Sequence, residues 1–369
     1  MHIAFRADAS IQIGIGHVMR CLTLAEALRS QGHECTFICR NHPGNLAELI
    51  EERGFQVLML NLEVPAREGT DSKGDSAVAH AEWLGASWQT DAEQTLSALA
   101  GINADWLVVD HYAVDARWES RVSTRVKDVM VIDDIADRPH ECNVLLDQNL
   151  GRKAQDYDRL VPETCTRLIG PSYALLRPEF AELRERSLDR RHMPELKRIL
   201  ITLGGVDRDN VTGRVLGTLA QSTLPPETEL DVVMGASAPA LEAVRQQAER
   251  LPFQASVSVN VRDMAERMCM ADLCIGAAGS TSWERCCLGL PSIMVVLAEN
   301  QRGIGQALEQ SGAAYLVANE ELPASLGRAL NKLIVSSSAL ISLAAHAEGI
   351  CDGLGSFRLV KELNRNQRP

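Results

Sequence analysis

The sequence lacks the patterns that mark several large classes of protein. Its ten cysteines include no C-x-x-C pair, which argues against a zinc site and favours reduced core cysteines. No apolar run reaches the roughly 18 residues that a membrane span needs, and the N-terminus has the pattern of a core strand rather than of a signal peptide. We therefore expect a cytoplasmic location and no membrane partner.

Positive charge is also scarce. The chain has 37 lysines and arginines against 49 acidic residues, which gives a net charge of −12. Nucleic-acid binding needs a basic surface, so no nucleic-acid partner is expected, whereas one local pocket could still hold a small anion. The apolar fraction of 46% is ample for large cores, and the length of 369 residues predicts two domains.

The first 28 residues have the pattern of a strand, a glycine-containing loop and a helix. The strand is predicted over residues 2–5 and the polar loop over residues 6–15, and apolar residues then recur at spacings of three and four from Val18 to Leu28. This is the start of a βαβ unit. Its loop lies at the carboxyl end of the strand, where open α/β sheets bind ligands.

His17 is the side chain beside this loop that can exchange a proton near neutral pH. It follows Gly16 in the first turn of the predicted helix, where the positive end of the helix dipole favours the neutral ring that a general base needs. The alternative is a histidine that caps the helix or packs beside the loop. The glycines and the polar residues Arg6, Asp8 and Ser10 strengthen the first interpretation.

The glycines do not form a dinucleotide fingerprint, because Met19 stands where the third glycine of G-x-G-x-x-G would be. The second predicted strand also ends at Arg40 rather than at a ribose-binding acid. A nicotinamide enzyme is therefore disfavoured, although an arginine at that position leaves NADP open. No cofactor is predicted.

Strands and helices continue to alternate through the first half of the chain, which predicts a parallel, doubly wound sheet. Three of the strands end in polar clusters: Asp110-His111-Tyr112, Asp133-Asp134 and Asp147-Gln148-Asn149. Such residues lie at the ligand-binding edge, but an aspartate after a strand is also typical of a helix cap, and Asp133, Asp134 and Asp147 stay open between the two. No further carboxylate stands at a useful spacing, so no metal is predicted.

The charged, proline-containing stretch 171–195 is predicted to connect two domains, because the strand, glycine turn and helix pattern restarts after it. That restart, from residue 198 onward, indicates a second Rossmann-like domain. The predicted organisation is a first domain over 1–170, the connection over 171–195, a second domain over 196–345, and a C-terminal helix within 346–369 that could cross back to the first domain.

A second candidate site lies in the run GAAGSTSWERCCLGLP, residues 276–291. Gly279, Ser280 and Thr281 begin a helix, and small residues at a helix N-terminus let backbone N–H groups approach a diphosphate. Glu284 stands one turn further on, where its carboxylate could accept both hydroxyls of a ribose. The alternative is an ordinary N-capped helix in which Glu284 completes a capping box.

Two Rossmann-like domains with a G-S-T helix start and a ribose-type glutamate resemble the GT-B fold of nucleotide-sugar enzymes, in which two parallel sheets face a central cleft. Its glycosyltransferases include the enzyme that adds N-acetylglucosamine to lipid I. More narrowly, the chain resembles the UDP-2,4-diacetamido-2,4,6-trideoxy-β-L-altropyranose hydrolases of pseudaminic acid biosynthesis. The matching runs are RADASIQIGIGHVMRCLTLA, VVDHYAVDARWE, VIDDIADRPHECNVLLDQN, GPSYALLRPEF, LGGVDRDNVT, GSTSWERCCLGLP and AENQ.

The resemblance implies an enzyme that hydrolyses a UDP-sugar without a metal, by inverting attack of water at the anomeric carbon. We expect a monomer, although the sequence alone does not fix the oligomeric state. His17 would be the general base, and Tyr112 and Asn300 would orient the sugar or the water. Under the same resemblance the diphosphate is held by Gly279, Ser280 and Thr281, and the ribose by Glu284. The remaining substrate-binding residues are predicted to be Arg6 and Asp8, which are assigned to the sugar, together with Gly16 and Gln301. Extra residues near 61–100 and 221–250, relative to the smallest members, leave the sugar specificity open.

Two other functions stay open. One is a glycosyltransferase on the same fold, in which His17 would deprotonate a sugar hydroxyl and which would need an acceptor site. The other is a nucleotide-sugar-binding regulator without catalysis. Release of free sugar in the absence of an acceptor separates the hydrolase from the transferase, and UDP binding without turnover would mark the regulator.

Overall fold

The computed structural model describes residues 1–63 and 78–365, and the chain divides into two compact units. Unit 1 comprises Met1–Leu175 together with Gly355–Pro369, and unit 2 comprises Leu176–Leu354. Each unit is built on one parallel sheet with helices packed against it.

Unit 1 opens with alternating strands and helices. Its strands are β1 His2–Ala7, β2 Glu34–Arg40, β3 Gln56–Leu60, β4 Trp106–Asp110, β5 Asp128–Ile132, β6 Val144–Asp147 and β7 Thr166–Ile169. The helices between them are α1 Gly16–Ser30, α2 Ala47–Glu52, α3 Trp88–Leu99 and α4 Ala116–Val122.

The strands of unit 1 pair in parallel in the order β3-β2-β1-β4-β5-β6-β7. The chain therefore builds outward in one direction from β1 and in the other from β4, and the switch point lies between these two strands. In their register Ala7, the last residue of β1, is opposite Asp110, the last residue of β4. The loops that follow β1 and β4 therefore begin side by side.

The central strand β1 is buried on both faces. Ile3 and Phe5 belong to a core with α1, whereas Ala4 belongs to a separate core with α3 and α4. A strand in this position must be apolar at successive residues rather than at alternate ones, which is why residues 2–5 are recognisable in the sequence as a short continuous run.

Unit 2 repeats this plan after an initial helix. Its strands are β8 Arg198–Thr202, β9 Glu229–Met234, β10 Gln254–Val259, β11 Leu273–Ala277, β12 Ser292–Val296 and β13 Ala314–Ala318. Its helices are α5 Pro178–Arg191, α6 Val211–Ala220, α7 Leu241–Ala248, α8 Met264–Met270, α9 Thr281–Cys287, α10 Glu299–Gln310, α11 Leu322–Ile334 and α12 Ser337–Glu348. The sheet order β10-β9-β8-β11-β12-β13 puts the switch point between β8 and β11.

The last helix, α13 Gly355–Arg365, belongs to unit 1. Its residues Leu359 and Leu363 are fully buried in the same core as α1. Gly355, the first residue of α13, lies so close to the chain after β7 that an added Cβ would be 2.2 Å from the carbonyl oxygen of Ala174. Only glycine fits this contact without a shift of the backbone.

Several elements differ from the sequence-based predictions. β7, α11 and α12 were not predicted, and the stretch 171–195, predicted as a connection, contains α5. The single helix predicted over 83–100 is a 3-10 turn, Ala81–Leu84, followed by α3. Of the loop predicted over 61–79, residues 64–77 lie outside the described part of the chain.

Within residues 1–63 and 78–365, no single helix is both long enough and apolar enough to cross a membrane. The segments Asn319–Ile334 and Ser337–Glu348 meet such a criterion only when they are taken together, by length and composition, and they are bent by 102° at the break between them.

Candidate functional site

The candidate base lies at the switch point of unit 1. His17 is the second residue of α1 and is 8% exposed. Its Nδ1 atom lies 2.5 Å from Oδ1 of Asp110, the last residue of β4. A buried carboxylate in this position accepts a hydrogen bond from Nδ1–H and so fixes the tautomer in which Nε2 is unprotonated. Nε2 has no hydrogen-bond partner among the described residues, and no side chain caps the N-terminus of α1.

Arg20 holds the Asp110 carboxylate from the other side. Its Nε and Nη2 atoms donate to the two carboxylate oxygens at 2.6 and 2.7 Å, and its Nη1 atom lies 2.7 Å from Oδ2 of Asp134. Burial acts to raise the pKa of Asp110, but the charges of Arg20 and His17 outweigh it and hold that pKa well below its usual range. Asp110 is therefore ionised at neutral pH and can stabilise a protonated His17.

Tyr112 stands against the ring of His17. The two rings meet edge to face with 4.7 Å between their centroids, and the Tyr112 hydroxyl donates to Oδ2 of Asp134 at 2.7 Å. Asp134 thus links Tyr112 to Arg20, so one connected network positions the base and the tyrosine.

The loop between β1 and α1 is closed by its own backbone. The N–H of Gly14 donates to the carbonyl of Ser10 at 2.8 Å, and the Ser10 hydroxyl accepts from the N–H of Ile13 at 2.9 Å. Gly14 has a φ of +83°, a left-handed conformation that glycine adopts without strain. Gly16 is exposed, and an added Cβ there would contact nothing within 4 Å, so a ligand could approach this backbone closely.

Arg6 and Asp8 do not lie on the surface of this loop. Both are fully buried, and Arg6 donates to Asp8 and to Asp91 at 2.6 Å each, while Asp91 also accepts from Arg40 at 2.6 Å. Burial acts to raise the pKa of Asp8, but the charge of Arg6 together with the hydrogen bonds of His111 and His42 outweighs it and lowers that pKa. The assignment of Arg6 and Asp8 to direct sugar contact is therefore corrected, because neither has exposed surface. They form a buried ion-pair network that supports the end of β1.

The aspartates after β5 and β6 do not cap helices. Asp133 pairs with Arg138 at 3.0 Å, Asp147 accepts from Arg152 at 2.7 Å, and Asp134 belongs to the network with Tyr112. Irregular chain follows β5, and irregular chain with a 3-10 turn follows β6, so there is no α-helix N-terminus for these carboxylates to cap. These aspartates instead stabilise the irregular connections that follow β5 and β6.

The second candidate site follows β11 at the switch point of unit 2. β11 ends at Ala277 and α9 begins at Thr281. Ser280 and Thr281 are exposed and Gly279 is half-buried. No side chain caps the N-terminus of α9. The N–H groups of Ser282 and Trp283 donate to the carbonyls of Gly279 and Ser280 at 2.9 and 3.2 Å, so the N–H of Thr281 is the candidate donor to an anion among the first helical residues.

The neighbouring helix α6 offers a contrast, because the protein satisfies its N-terminus internally. The Asp207 carboxylate accepts from the N–H groups of Val211 and Thr212 at 2.8 and 2.9 Å, and the Asn210 side chain accepts from the N–H of Gly213 at 3.1 Å. These bonds satisfy donors that a phosphate would otherwise use. Of the two helices at this switch point, α9 is therefore the better candidate for binding a diphosphate.

Glu284 lies within α9 and does not form a capping box. With Ser280 at the N-cap, Glu284 is the fourth helical residue rather than the third, and no cap hydrogen bond forms. Its side chain is 16% exposed, and its Oε1 atom is 4.0 Å from Arg177. Burial raises the pKa of Glu284 to about 7, and the charges of Arg177 and Arg285 offset only part of this effect.

Arg285 stabilises the loop that precedes α9. It is 1% exposed and donates to the carbonyl of Ala277 at 2.7 Å and to the Ser282 hydroxyl at 2.9 Å. An added Cβ on Gly276 would lie 2.4 Å from the Arg285 guanidinium. Gly276 therefore provides the space in which Arg285 sets the shape of the loop.

Asn300 and Gln301 lie in the first turn of α10, which begins at Glu299 rather than at Gly305 as the sequence predicts. Gln301 accepts from the N–H of Leu297 at 3.0 Å, and its Nε2 atom is 3.8 Å from the position of an added Cβ on Gly279. The structure thus places Gln301 beside the loop of the second site. The side chain of Asn300 lies outside the described part of the structure, and its role stays a prediction.

Metal ligands are not clustered in the parts of the chain that the structure describes, since no group of three or more His, Cys, Asp or Glu side chains there is arranged to hold an ion. None of the ten cysteines, which all lie within the described residues, forms a disulfide, and all but Cys35 are buried.

Comparison with known structures identifies the architecture. The crystal structure of MurG from Acinetobacter baumannii matches with a TM-score of 0.71 at 16% sequence identity, over 99% of each chain. The chain has a GT-B fold. Within this GT-B chain, residues 198–352 match the C-terminal domain of glycosyltransferase family 28.

Three curated relatives are similar to this GT-B chain in sequence. A UDP-2,4-diacetamido-2,4,6-trideoxy-β-L-altropyranose hydrolase of Campylobacter jejuni is 27% identical over 67% of the chain and 74% of its own length. The spore coat polysaccharide biosynthesis protein SpsG of Bacillus subtilis is 25% identical over 97% of the chain and 96% of its own length. An uncharacterized protein of Methanocaldococcus jannaschii is 25% identical over 82% of the chain. The matched region spans only 57% of the length of that archaeal protein.

Sequence reasoning did not assign Asp110 and Arg20, although both lie within runs that it singled out. Asp110 directly follows a buried strand, but its contact with His17 depends on β1 and β4 being neighbours, which the order of strands along the chain does not state. Arg20 stands three residues after His17, one turn along the same helix. This spacing indicates that the two side chains lie on the same face of the helix, and it is the signal from which the role of Arg20 could be predicted. Asp91 carries no such signal, because it lies within a helix far from either loop in sequence.

Proposed function

We propose that the protein hydrolyses a UDP-linked 2,4-diacetamido-2,4,6-trideoxyhexose, such as UDP-2,4-diacetamido-2,4,6-trideoxy-β-L-altrose, to UDP and free sugar in pseudaminic acid biosynthesis. The observation that carries the proposal is the contact between His17 and the buried carboxylate of Asp110, 2.5 Å apart at the switch point of unit 1. This contact leaves Nε2 of His17 unprotonated, so that Nε2 can accept a proton as a general base. The hydrolase name of the Campylobacter relative supports the same reaction.

In the proposed reaction, Nε2 of His17 takes a proton from water while the water oxygen attacks the anomeric carbon on the face opposite UDP. A carbon–oxygen bond to water forms as the bond from that carbon to the diphosphate oxygen breaks, and the electron pair leaves with UDP. The configuration at the carbon inverts. A positioned base contributes about 10²–10⁴ in rate, and Asp110 stabilises the imidazolium that forms.

We assign UDP to the second site. The backbone at Gly279 and the N–H of Thr281, with the hydroxyls of Ser280 and Thr281, would hold the diphosphate, and Glu284 would accept the ribose hydroxyls. Such donors stabilise the charge that develops on a departing diphosphate, and UDP is a good leaving group, so the proposal includes no metal.

A glycosyltransferase is the second candidate function. It is favoured by the match of residues 198–352 to the C-terminal domain of glycosyltransferase family 28. In that case Nε2 of His17 would remove a proton from an acceptor hydroxyl instead of from water. A binding protein without catalysis is disfavoured, because that function does not account for the hydrogen-bond network that positions His17.

The deciding experiment measures UDP release from the UDP-2,4-diacetamido-trideoxyhexose without an acceptor and with a chelator present. We expect release by the wild type and a loss of about 10²–10⁴ in kcat for His17→Ala. His192→Ala is the matched control, because His192 is an exposed histidine at the end of α5. Release that survives in His17→Ala would retain the hydrolase and discard the base. If the wild type releases UDP only when an acceptor is added, the transferase replaces the proposal.

A further inference from the structure

Aromatic side chains are scarce in this chain, at 4% of residues, and most of the tryptophans lie in the cores. Trp106, Trp118 and Trp283 are fully buried. Trp83 differs, because it is half-buried and lies beside the tyrosine of the candidate site. Its ring is nearly parallel to that of Tyr112, with 6.1 Å between centroids and 27° between planes.

His80 continues this group of rings toward the surface. Its imidazole lies 4.3 Å from the Trp83 ring and 6.0 Å from the Tyr112 ring, and His80 itself is exposed. Tyr112 in turn contacts His17. The rings therefore run without a break from the candidate base to the surface of unit 1. We call His80, Trp83 and Tyr112 the aromatic wall.

The turn that carries His80 and Trp83 is held in a fixed position. Leu84, at the end of the 3-10 turn Ala81–Leu84, is buried in the core with α3. The next residue, Gly85, has a φ of +67°, and an added Cβ there would lie 2.6 Å from the ring of His42. His80 precedes the turn with a φ of +65°, which is uncommon for a residue other than glycine and is found more often at functional sites.

We propose that the aromatic wall is the subsite that selects the sugar, by packing against apolar substituents of the hexose. A 2,4-diacetamido-2,4,6-trideoxyhexose carries methyl groups on both acetamido substituents and at C6, whereas UDP-N-acetylglucosamine carries a single acetamido methyl. Tyr112 is only 9% exposed, so the half-buried ring of Trp83 and the exposed ring of His80 offer such methyl groups an apolar contact area near the base, and the polar part of the hexose is left to hydrogen-bonding groups. This inference rests on the proposed function for the identity of the substrate.

The kinetic test compares Trp83→Ala and Trp83→Phe with the wild type. We expect Trp83→Ala to raise KM for the UDP-diacetamido sugar about tenfold while the inhibition constant of UDP stays unchanged, because the wall contacts the sugar and not the nucleotide. Trp83→Phe keeps an aromatic face and should recover most of the loss. Trp88→Phe is the control, since Trp88 is also half-buried but its ring faces Arg117 at 5.3 Å. A wild-type KM in Trp83→Ala would overturn the proposal.

A binding measurement separates this inference from the proposed reaction. In the His17→Ala background, saturation-transfer NMR reports which protons of the bound UDP-sugar touch the protein, whether or not the wild type turns the substrate over. We expect strong signals from the methyl protons that disappear on adding Trp83→Ala, while the uracil signals persist. Methyl signals that are absent, or that persist without Trp83, overturn the aromatic wall as a subsite. A wild type that releases no UDP overturns only the hydrolase.

Discussion

At the scale of the single residue, Asp110 has the largest influence on the candidate base. Its carboxylate accepts hydrogen bonds from Nδ1 of His17 and from Nε and Nη2 of Arg20. In Asp110→Asn the amide can present a donor to the ring and so favour the tautomer with a protonated Nε2. We expect kcat for UDP release to fall by about 10²–10⁴ while the Kd of UDP stays unchanged.

The folded state should survive this substitution, because Arg20 keeps its ion pair with Asp134. Thermal unfolding of Asp110→Asn provides that check. Asp105→Asn is a suitable control, since Asp105 lies before β4 and pairs with the exposed Lys127. An Asp110→Asn protein that turns over at the wild-type rate would show that the contact is only structural.

The residues of the candidate site were predictable from the sequence to different degrees. His17 could be identified because a glycine-containing loop, a helix start and a titratable ring coincide at one place. Arg6 and Asp8 have the same sequence signal, since both are polar residues at the end of a strand, yet they are buried and paired. Local sequence shows that a residue is polar at a ligand-binding edge. It does not show whether another charge, here Asp91, neutralises the residue from a distant helix.

At the scale of the element, the UDP site proposed at α9 would make UDP binding depend on pH. Glu284 has a pKa raised to about 7, so its carboxylate fraction increases between pH 6 and pH 8. If ribose hydroxyls donate to this carboxylate, the affinity for UDP should strengthen as the pH rises through 7. Isothermal titration calorimetry between pH 6 and pH 8 measures the change.

Glu284→Gln removes the titrating group and serves as the control, because the phosphates of UDP also change charge over part of this range. We expect the variant to bind UDP more weakly at pH 8 than the wild type and to show a smaller dependence on pH. The same slope in both proteins would assign the effect to the ligand and would remove Glu284 from the ribose site. The charged neighbours Arg177, Glu179 and Arg285 are the same in both proteins.

The elements themselves were predicted best where they are most buried. The central strands β1, β4, β8 and β11 are short apolar runs that the sequence shows directly. The edge strand β7 was missed because Thr166 and Arg167 interrupt its apolar pattern and several of its residues are only half-buried. The assignment of Asp133, Asp134 and Asp147 as possible helix caps failed for a related reason, since no α-helix follows β5 or β6.

At the scale of the whole molecule, unit 1 depends on a helix from the other end of the chain. Leu363 of α13 is fully buried in the core shared with α1. We expect Leu363→Ala to lower the free energy of unfolding by about 2–5 kcal/mol, the usual cost of such a cavity. Hydrogen exchange should accelerate in peptides from β1 and α1 and stay unchanged in peptides from β8 and β11. Leu354→Ala is the control, because Leu354 is 45% exposed, and equal acceleration in both units would contradict the expectation.

The two-unit plan was predictable because the strand, glycine turn and helix pattern occurs twice, at residues 2–28 and again from residue 198. The pattern alone could not supply the pairing partners, since the order of strands in a sheet is set by packing of long-range contacts. The contact that matters most for the candidate base, between His17 and Asp110, joins residues 93 positions apart.

The position of α13 in unit 1 also has a consequence for synthesis. The ribosome makes α13 only after all of unit 2, which at about 5–20 residues per second takes roughly 10–40 s. During that interval the apolar surface of α1 that α13 covers is open to chaperones and to neighbouring nascent chains. Unit 1 is thus the first to be started and the last to be completed.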